Sequence, residues 1–219
     1  MQNSETLTKM YGRPLRIREW DACSERPPIY DGTWEICVAK VTTWNAVQCA
    51  YNYLVTAQHT FRTLVLDSIS ELQRRCKENI IAPTEMMQQQ HWGQLLTLMD
   101  TVIRGMRDMK DVPRNPIEVV VFIAETRMAD GKWRPYMQGQ ITIALPYWMD
   151  VVGYLYVDNE ADENGTYTKK VRKLLVTPHP MYEAGERIQG VLGDVVPEPN
   201  ITMMLRKIYP SQNGQEAAS

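Results

Sequence analysis

Two acids sit where apolar runs end. The first is Asp67, which follows Thr63 to Leu66 and directly precedes Ser68 and an amphipathic segment. The second is Glu125, which with Thr126 and Arg127 closes the run Val119 to Ala124. A buried strand that delivers an acid to its C-terminal end, with a helix leaving at once, is how α/β nucleotide enzymes hold magnesium, here through water on Asp67. Two adjacent parallel strands that both end in polar groups form the crevice where open α/β sheets bind ligands. One strand end can hold metal-bound water while the next senses a terminal phosphate. Asp67 also has a plainer reading, as a cap of the helix behind it.

A cluster of another kind follows in "TRMADGKWRPYMQGQ", Thr126 to Gln140, which gathers Arg127, Lys132, Trp133, Arg134 and Tyr136. Cations contact phosphates, and aromatic faces stack unpaired bases. The segment also reads as a solvated turn at Asp130-Gly131 with ordinary surface charge, and the residues alone favour that reading. "KKVRK", Lys169 to Lys173, reads as an exposed strand face. His59, His91 and His179 are far apart in sequence and lack ligand spacing. The cysteines, Cys23, Cys37, Cys49 and Cys76, contain no C-x-x-C pair and read as reduced, mostly buried thiols. No Ser/His/Asp constellation stands out.

These groups need elements to position them. Residues 1–33 read as irregular, with a short strand in "YGRPLRIREWD" and turns in "SERPPIYDG". Trp34 to Val41 reads as a strand, and Thr43 as the N-cap of a helix whose apolar face is Trp44, Val47, Tyr51 and Leu54. Thr63 to Asp67 reads as a buried strand, followed by a helix with Ile69, Leu72 and Cys76 on one side. Gln88 to Met109 carries a sustained stripe of Trp92, Leu95, Leu96, Met99, Val102, Ile103 and Met106, which is core packing at a period of 3.6. The continuous run Val119 to Ala124 suits a strand buried on both faces. This alternation of strand and helix predicts an α/β fold with a mostly parallel sheet. Beyond it, "ITIAL", "DVVGYLYVD" and "VRKLLVTPH" read as strands, with a hairpin signal at Asn164-Gly165. They predict an antiparallel extension within a core spanning 34–209, and 210–219 reads as a disordered tail.

The chain of 219 residues is 44% hydrophobic and carries a net charge of −2, so any nucleic-acid binding must come from a local basic patch. No apolar run reaches membrane-spanning length and "MQNSETLTK" is not a signal peptide. A cytoplasmic protein without membrane contact is expected.

The segment "RTLVLDSISELQ" resembles the Walker B strand of RecA-like ATPases, and "VFIAETR" is similar to the stretch that ends their next strand and opens a DNA loop. The ordered set "TW", "TLVLDSISELQRR", "HWGQLLTLMDTVIRGMRD", "VVVFIAETR", "LPYWMDVVGYLYV", "YEAGERIQGVLGD" and "PNITMMLRKI" resembles phage RecA-like ATPases of the Sak type over roughly Trp34 to Ile208. The resemblance implies a RecA-like P-loop core, with ATP and magnesium as cofactors. It also implies action on single-stranded DNA in recombination or annealing, in the cytoplasm of a bacterial host. Homo-oligomers and a single-strand-binding protein are the implied partners. It gives Asp67 and Glu125 catalytic roles, puts Asp67, Ser68 and Arg187 at the nucleotide, and puts Arg127 to Tyr136 at DNA. For that last segment it brings the binding reading level with the plainer one.

The sequence departs from the family at one decisive place. A phosphate-binding P-loop needs G-x-x-x-x-G-K-[ST], because backbone N–H groups and a lysine must neutralise phosphate charge. No such run is present, and the one Gly-Lys pair is Gly131-Lys132, followed by Trp133. The expectation is that the P-loop strand is missing, with "SETLTKMYGRP" its remnant and Glu5 the acid of the family's next strand. A non-catalytic DNA-binding or assembly subunit, and a truncated ATPase, are the alternatives. Without the P-loop strand, one edge of Val119 to Ala124 is expected to be filled by a segment from residues 7–20 or to drive self-association.

Overall fold

Residues 14–81, 85–161, 167–188 and 190–210 are described by a computed structural model, and the chain divides into two compact units at Ala124 and Glu125. In the first unit, β1 (Ile17–Trp20) pairs in parallel with β2 (Ile36–Ala39), Trp20 opposite Ala39. α1 (Trp44–Thr56) follows, and the Thr43 hydroxyl accepts a 3.2 Å bond from the Ala46 N–H as predicted for an N-cap. Trp20, Ala22 and Ala50 form a buried cluster with Cys37, Ala39, Cys49 and Tyr53 packed against it.

β3 (Thr63–Asp67) leads through Ser68 into α2 (Ile69–Ile80), and α3 (Gln89–Arg107) precedes β4 (Val119–Ile123). The expected apolar stripe is the core of this unit: Leu95, Met99 and Ile103 are fully enclosed, each side chain contributing roughly 1.5–3 kcal/mol. α3 lies so close to α1 that a Cβ on Gly105 would stand 2.6 Å from the Tyr51 hydroxyl oxygen. His59 is structural: its Nε2 lies 2.8 Å from the Leu54 carbonyl oxygen.

β3 and β4 run parallel, Thr63 beside Val119 and Asp67 beside Ile123. Among the described residues the two parallel ladders, β1–β2 and β3–β4, remain separate two-stranded sheets. The expectation of strands buried on both faces is corrected. Val65 and Ile123, which share one face of β3–β4, are 53% and 43% exposed. Only the opposite face, with Leu64, Leu66, Val120 and Phe122, has consistent cover, so the burial alternates along β3. Residues 17–20 do not repair the edge of β4. They pair with β2, and β3 is the one described partner of β4. Residues 7–13, and with them all of the N-terminal remnant except Pro14, lie outside the described residues.

The second unit opens with a hairpin, β5 (Thr126–Ala129) and β6 (Lys132–Pro135). "ITIAL", expected to be a strand, is instead the short helix α4 (Ile141–Ala144) running into a 3₁₀ turn, Leu145–Trp148. Ile141 and Leu145 are buried while Ile143 between them is 53% exposed, which fits a helix and not a strand whose one face would carry all three. β7 (Val151–Val152) pairs antiparallel with β10 (Gly185–Glu186). β8 (Tyr154–Ala161), β9 (Tyr167–Leu175) and β11 (Val195–Pro197) form the expected antiparallel sheet, with β9 in the middle. α5 (Ile201–Ile208) closes the unit, capped by Asn200, and its Met204 and Ile208 pack on Val176, Leu192 and Val196. The Asn164-Gly165 turn and the tail 211–219 lie outside the described residues.

Candidate functional site

The end of β3 has the shape that the sequence suggested. Asp67 is exposed at the strand terminus, joined to Ser68 by a cis peptide. The helix cap is supplied by Ser68, whose hydroxyl accepts a 3.2 Å bond from the Glu71 N–H. Asp67 is thereby left exposed and is not the cap. Ser68, by contrast, serves the fold whatever else it does. Beside Asp67 in register is Ile123, from which the chain continues through Ala124 to Glu125.

Magnesium takes six oxygens in a near-octahedral shell and is held by one or two carboxylates plus waters and phosphates. Among the described residues no three His, Cys, Asp or Glu side chains gather closely enough to hold a metal. Asp67 therefore fits magnesium as a single partner, directly or through water. The phosphates have no cradle, since no P-loop run occurs in the sequence and Gly131-Lys132 belongs to a hairpin turn. The described residues do not by themselves complete a magnesium–ATP site.

In the second unit, Glu125 is exposed and its carbonyl oxygen accepts a 2.6 Å bond from the Tyr136 N–H. Arg187 donates from its guanidinium to the Tyr147 carbonyl, and its backbone N–H bonds the Asp150 carbonyl at 2.9 Å. The side chain offered for a phosphate thus already holds the 3₁₀ turn.

The basic and aromatic segment is a hairpin, where the sequence suggested a loop. Asp130 and Gly131 have φ of 51° and 74°, the left-handed pair that a two-residue type I′ turn requires. Arg127 is opposite Arg134 and Ala129 opposite Lys132. Directly opposed residues and those two apart share a face, so Arg127, Lys132 and Arg134 stand together. Tyr136 joins them, with the Arg127 guanidinium 5.4 Å from the centre of its ring. Trp133 is on the other face with Met128. The five candidate residues therefore divide four to one between the two faces.

Sequence reasoning missed Glu183. The segment Met181 to Glu183 lies along the free edge of β6: the Trp133 N–H bonds the Met181 carbonyl at 2.7 Å, and the Glu183 N–H bonds the Trp133 carbonyl at 2.8 Å. This brings the Glu183 carboxylate 3.3 Å from Lys132 Nζ and 3.7 Å from Arg134 Nε. No local signal in the sequence announces that pairing across some fifty positions.

Parallel strands alternating with helices make the first unit α/β, an architecture that nucleotide-binding proteins share, and an acid ends β3. A family model described as an AAA domain matches residues 6–188, and the chain belongs to that family. Membership places it among ATPase domains of the P-loop superfamily, whose members in general use ATP and magnesium. No curated protein matches the chain. No helix among the described residues is long and apolar enough to cross a membrane.

Proposed function

We propose that the chain is a RecA-like member of its family, of the phage Sak type, that binds single-stranded DNA during recombination or strand annealing. The observation that carries the reading is the shared face of the β5–β6 hairpin, where Arg127, Lys132, Arg134 and Tyr136 stand together. Three cations beside one aromatic ring match what an unpaired strand offers, a line of phosphates with bases free to stack. Asp67 and Ser68 serve the nucleotide, with Asp67 the partner of a magnesium-bound water; Glu125 and Arg187 are the further residues that the resemblance offers for it. These 219 residues contain no P-loop run to cradle the phosphates. Homo-oligomers, and contact with a single-strand-binding protein, belong to the same reading, as does the cytoplasm of a bacterial host.

A non-catalytic DNA-binding or assembly subunit is the second reading, favoured by the absence of a P-loop run from these 219 residues. Anisotropy of a labelled oligothymidine, titrated at several salt concentrations, tests the part common to both. Arg127→Ala should weaken binding and lower the salt slope by about 0.7, the value for one phosphate contact on a single strand. Tyr136→Ala should weaken it by about 1–3 kcal/mol if the ring stacks a base. Binding unchanged in both variants would remove the hairpin from the function.

A further inference from the structure

The cation face comes with an anion already on it. Glu183 lies between Lys132 and Arg134, and it satisfies neither well. The Lys132 contact is long for a charged hydrogen bond, which is usually about 2.7–2.9 Å. The Arg134 Nε–H is buried and has no hydrogen-bond acceptor, with the nearer Glu183 oxygen 3.7 Å away. Lys132 and Arg134 also keep 25% and 22% of their side-chain surface exposed, so a ligand can reach part of each side chain, though not the buried Arg134 Nε.

We propose that Glu183 is a built-in competitor for the phosphodiester of a bound single strand. It is held on the edge of β6 by the backbone bonds around Trp133, and it sets the affinity of the face by occupying the Lys132–Arg134 pair until a phosphate displaces it. This inference rests on the single-strand reading above. It assigns Glu183 a positioning role, acting through the two cations and touching no base. The same arrangement gives discrimination: a weakly held or isolated anion does not repay the loss of the Glu183 contacts, whereas a strand that also engages Arg127 and Tyr136 does.

The test is oligothymidine binding by wild type, Glu183→Gln, Glu183→Asp, Arg134→Ala and the double variant Arg134→Ala/Glu183→Gln. Glu183→Gln should tighten binding on the order of tenfold, the size of one charged contact, and steepen the salt slope by about 0.7 for each cation it frees. Glu183→Asp keeps the charge but withdraws it by one methylene, and should fall between. It carries the test if circular dichroism shows Glu183→Gln unfolded. In the double variant most of the gain should vanish. Arg134→Ala weakening binding while Glu183→Gln and Glu183→Asp match wild type would overturn the competitor role and leave the face as the binding site. No effect in any variant would overturn both. Displacement of the oligonucleotide from Glu183→Gln by inorganic phosphate alone, at matched ionic strength and millimolar concentration, would also overturn the assignment to a strand.

Discussion

Asp67 and Ser68 are neighbours to which the resemblance gives a shared duty, and substitution should separate them. Ser68 caps α2 with a 3.2 Å bond to the Glu71 N–H, and α2 is anchored in the core by Ile69, Leu72 and Cys76. Ser68→Ala removes one of the few partners available to the first N–H groups of the helix, at about 1 kcal/mol within a range of 0.5–2. In a chain of this length that corresponds to a fall of about 2–4 °C in Tm. Ser68→Asn should recover most of it, because the amide oxygen can take the same bond. Asp67 is exposed and caps nothing, so Asp67→Ala should change stability by no more than about 0.5 kcal/mol. Paired chemical and thermal denaturation curves read both. A Ser68→Ala protein as stable as wild type, or an Asp67→Ala protein more destabilised than Ser68→Ala, would refute this division of labour. Asp67→Ala is therefore the cleaner probe of nucleotide chemistry, since a loss of binding in Ser68→Ala mixes function with fold.

These 219 residues alone should turn over no significant ATP, because phosphoryl transfer depends on positioning and charge neutralisation that a P-loop supplies; steady turnover abolished by Asp67→Ala would contradict this. The edge of β4 away from β3 has no described strand on it, and Val65 and Ile123 are exposed on one face of the pair. Concentration-dependent self-association in size-exclusion chromatography is expected, and a monomer at every concentration would count against it. On the β8–β9 sheet, the Lys173 ammonium bonded to Asp158 at 2.9 Å holds that carboxyl below its ordinary value of 3.8. A depressed carboxyl contributes stability above pH 3.8 that is lost as pH falls through the folded value. Tm should therefore drop more between pH 5 and pH 2 in wild type than in Lys173→Met, and equal drops would remove the linkage.

The elements that position the candidate residues were legible wherever local chemistry decides. The N-cap at Thr43, the span of β3 and the stripe on α3 follow from spacing and capping, which are encoded within a few residues. What failed depends on distant neighbours. "ITIAL" alternates like a strand, yet only Ile141 and Leu145 meet cover and Ile143 between them is exposed. The apolar run at β4 looked doubly buried, because sequence records how apolar a strand is but not whether a layer exists to cover it. The hairpin turn was visible in Asp130-Gly131. The split between its faces required the register, since a shift of one residue would have placed Arg127 with Trp133 and away from Lys132 and Arg134. Glu183 was invisible because only the fold brings it to β6.

Photocrosslinking tests the central claim most directly. Oligothymidine carrying a photoreactive base is irradiated with the protein, and the crosslinked peptide is identified by mass spectrometry. The hairpin face predicts attachment within Thr126 to Gln140, centred on Tyr136 and lost in Tyr136→Ala and Arg127→Ala. Crosslinks confined to other segments, such as Lys169 to Lys173, or an unaltered yield in both variants, would contradict single-strand binding by this face.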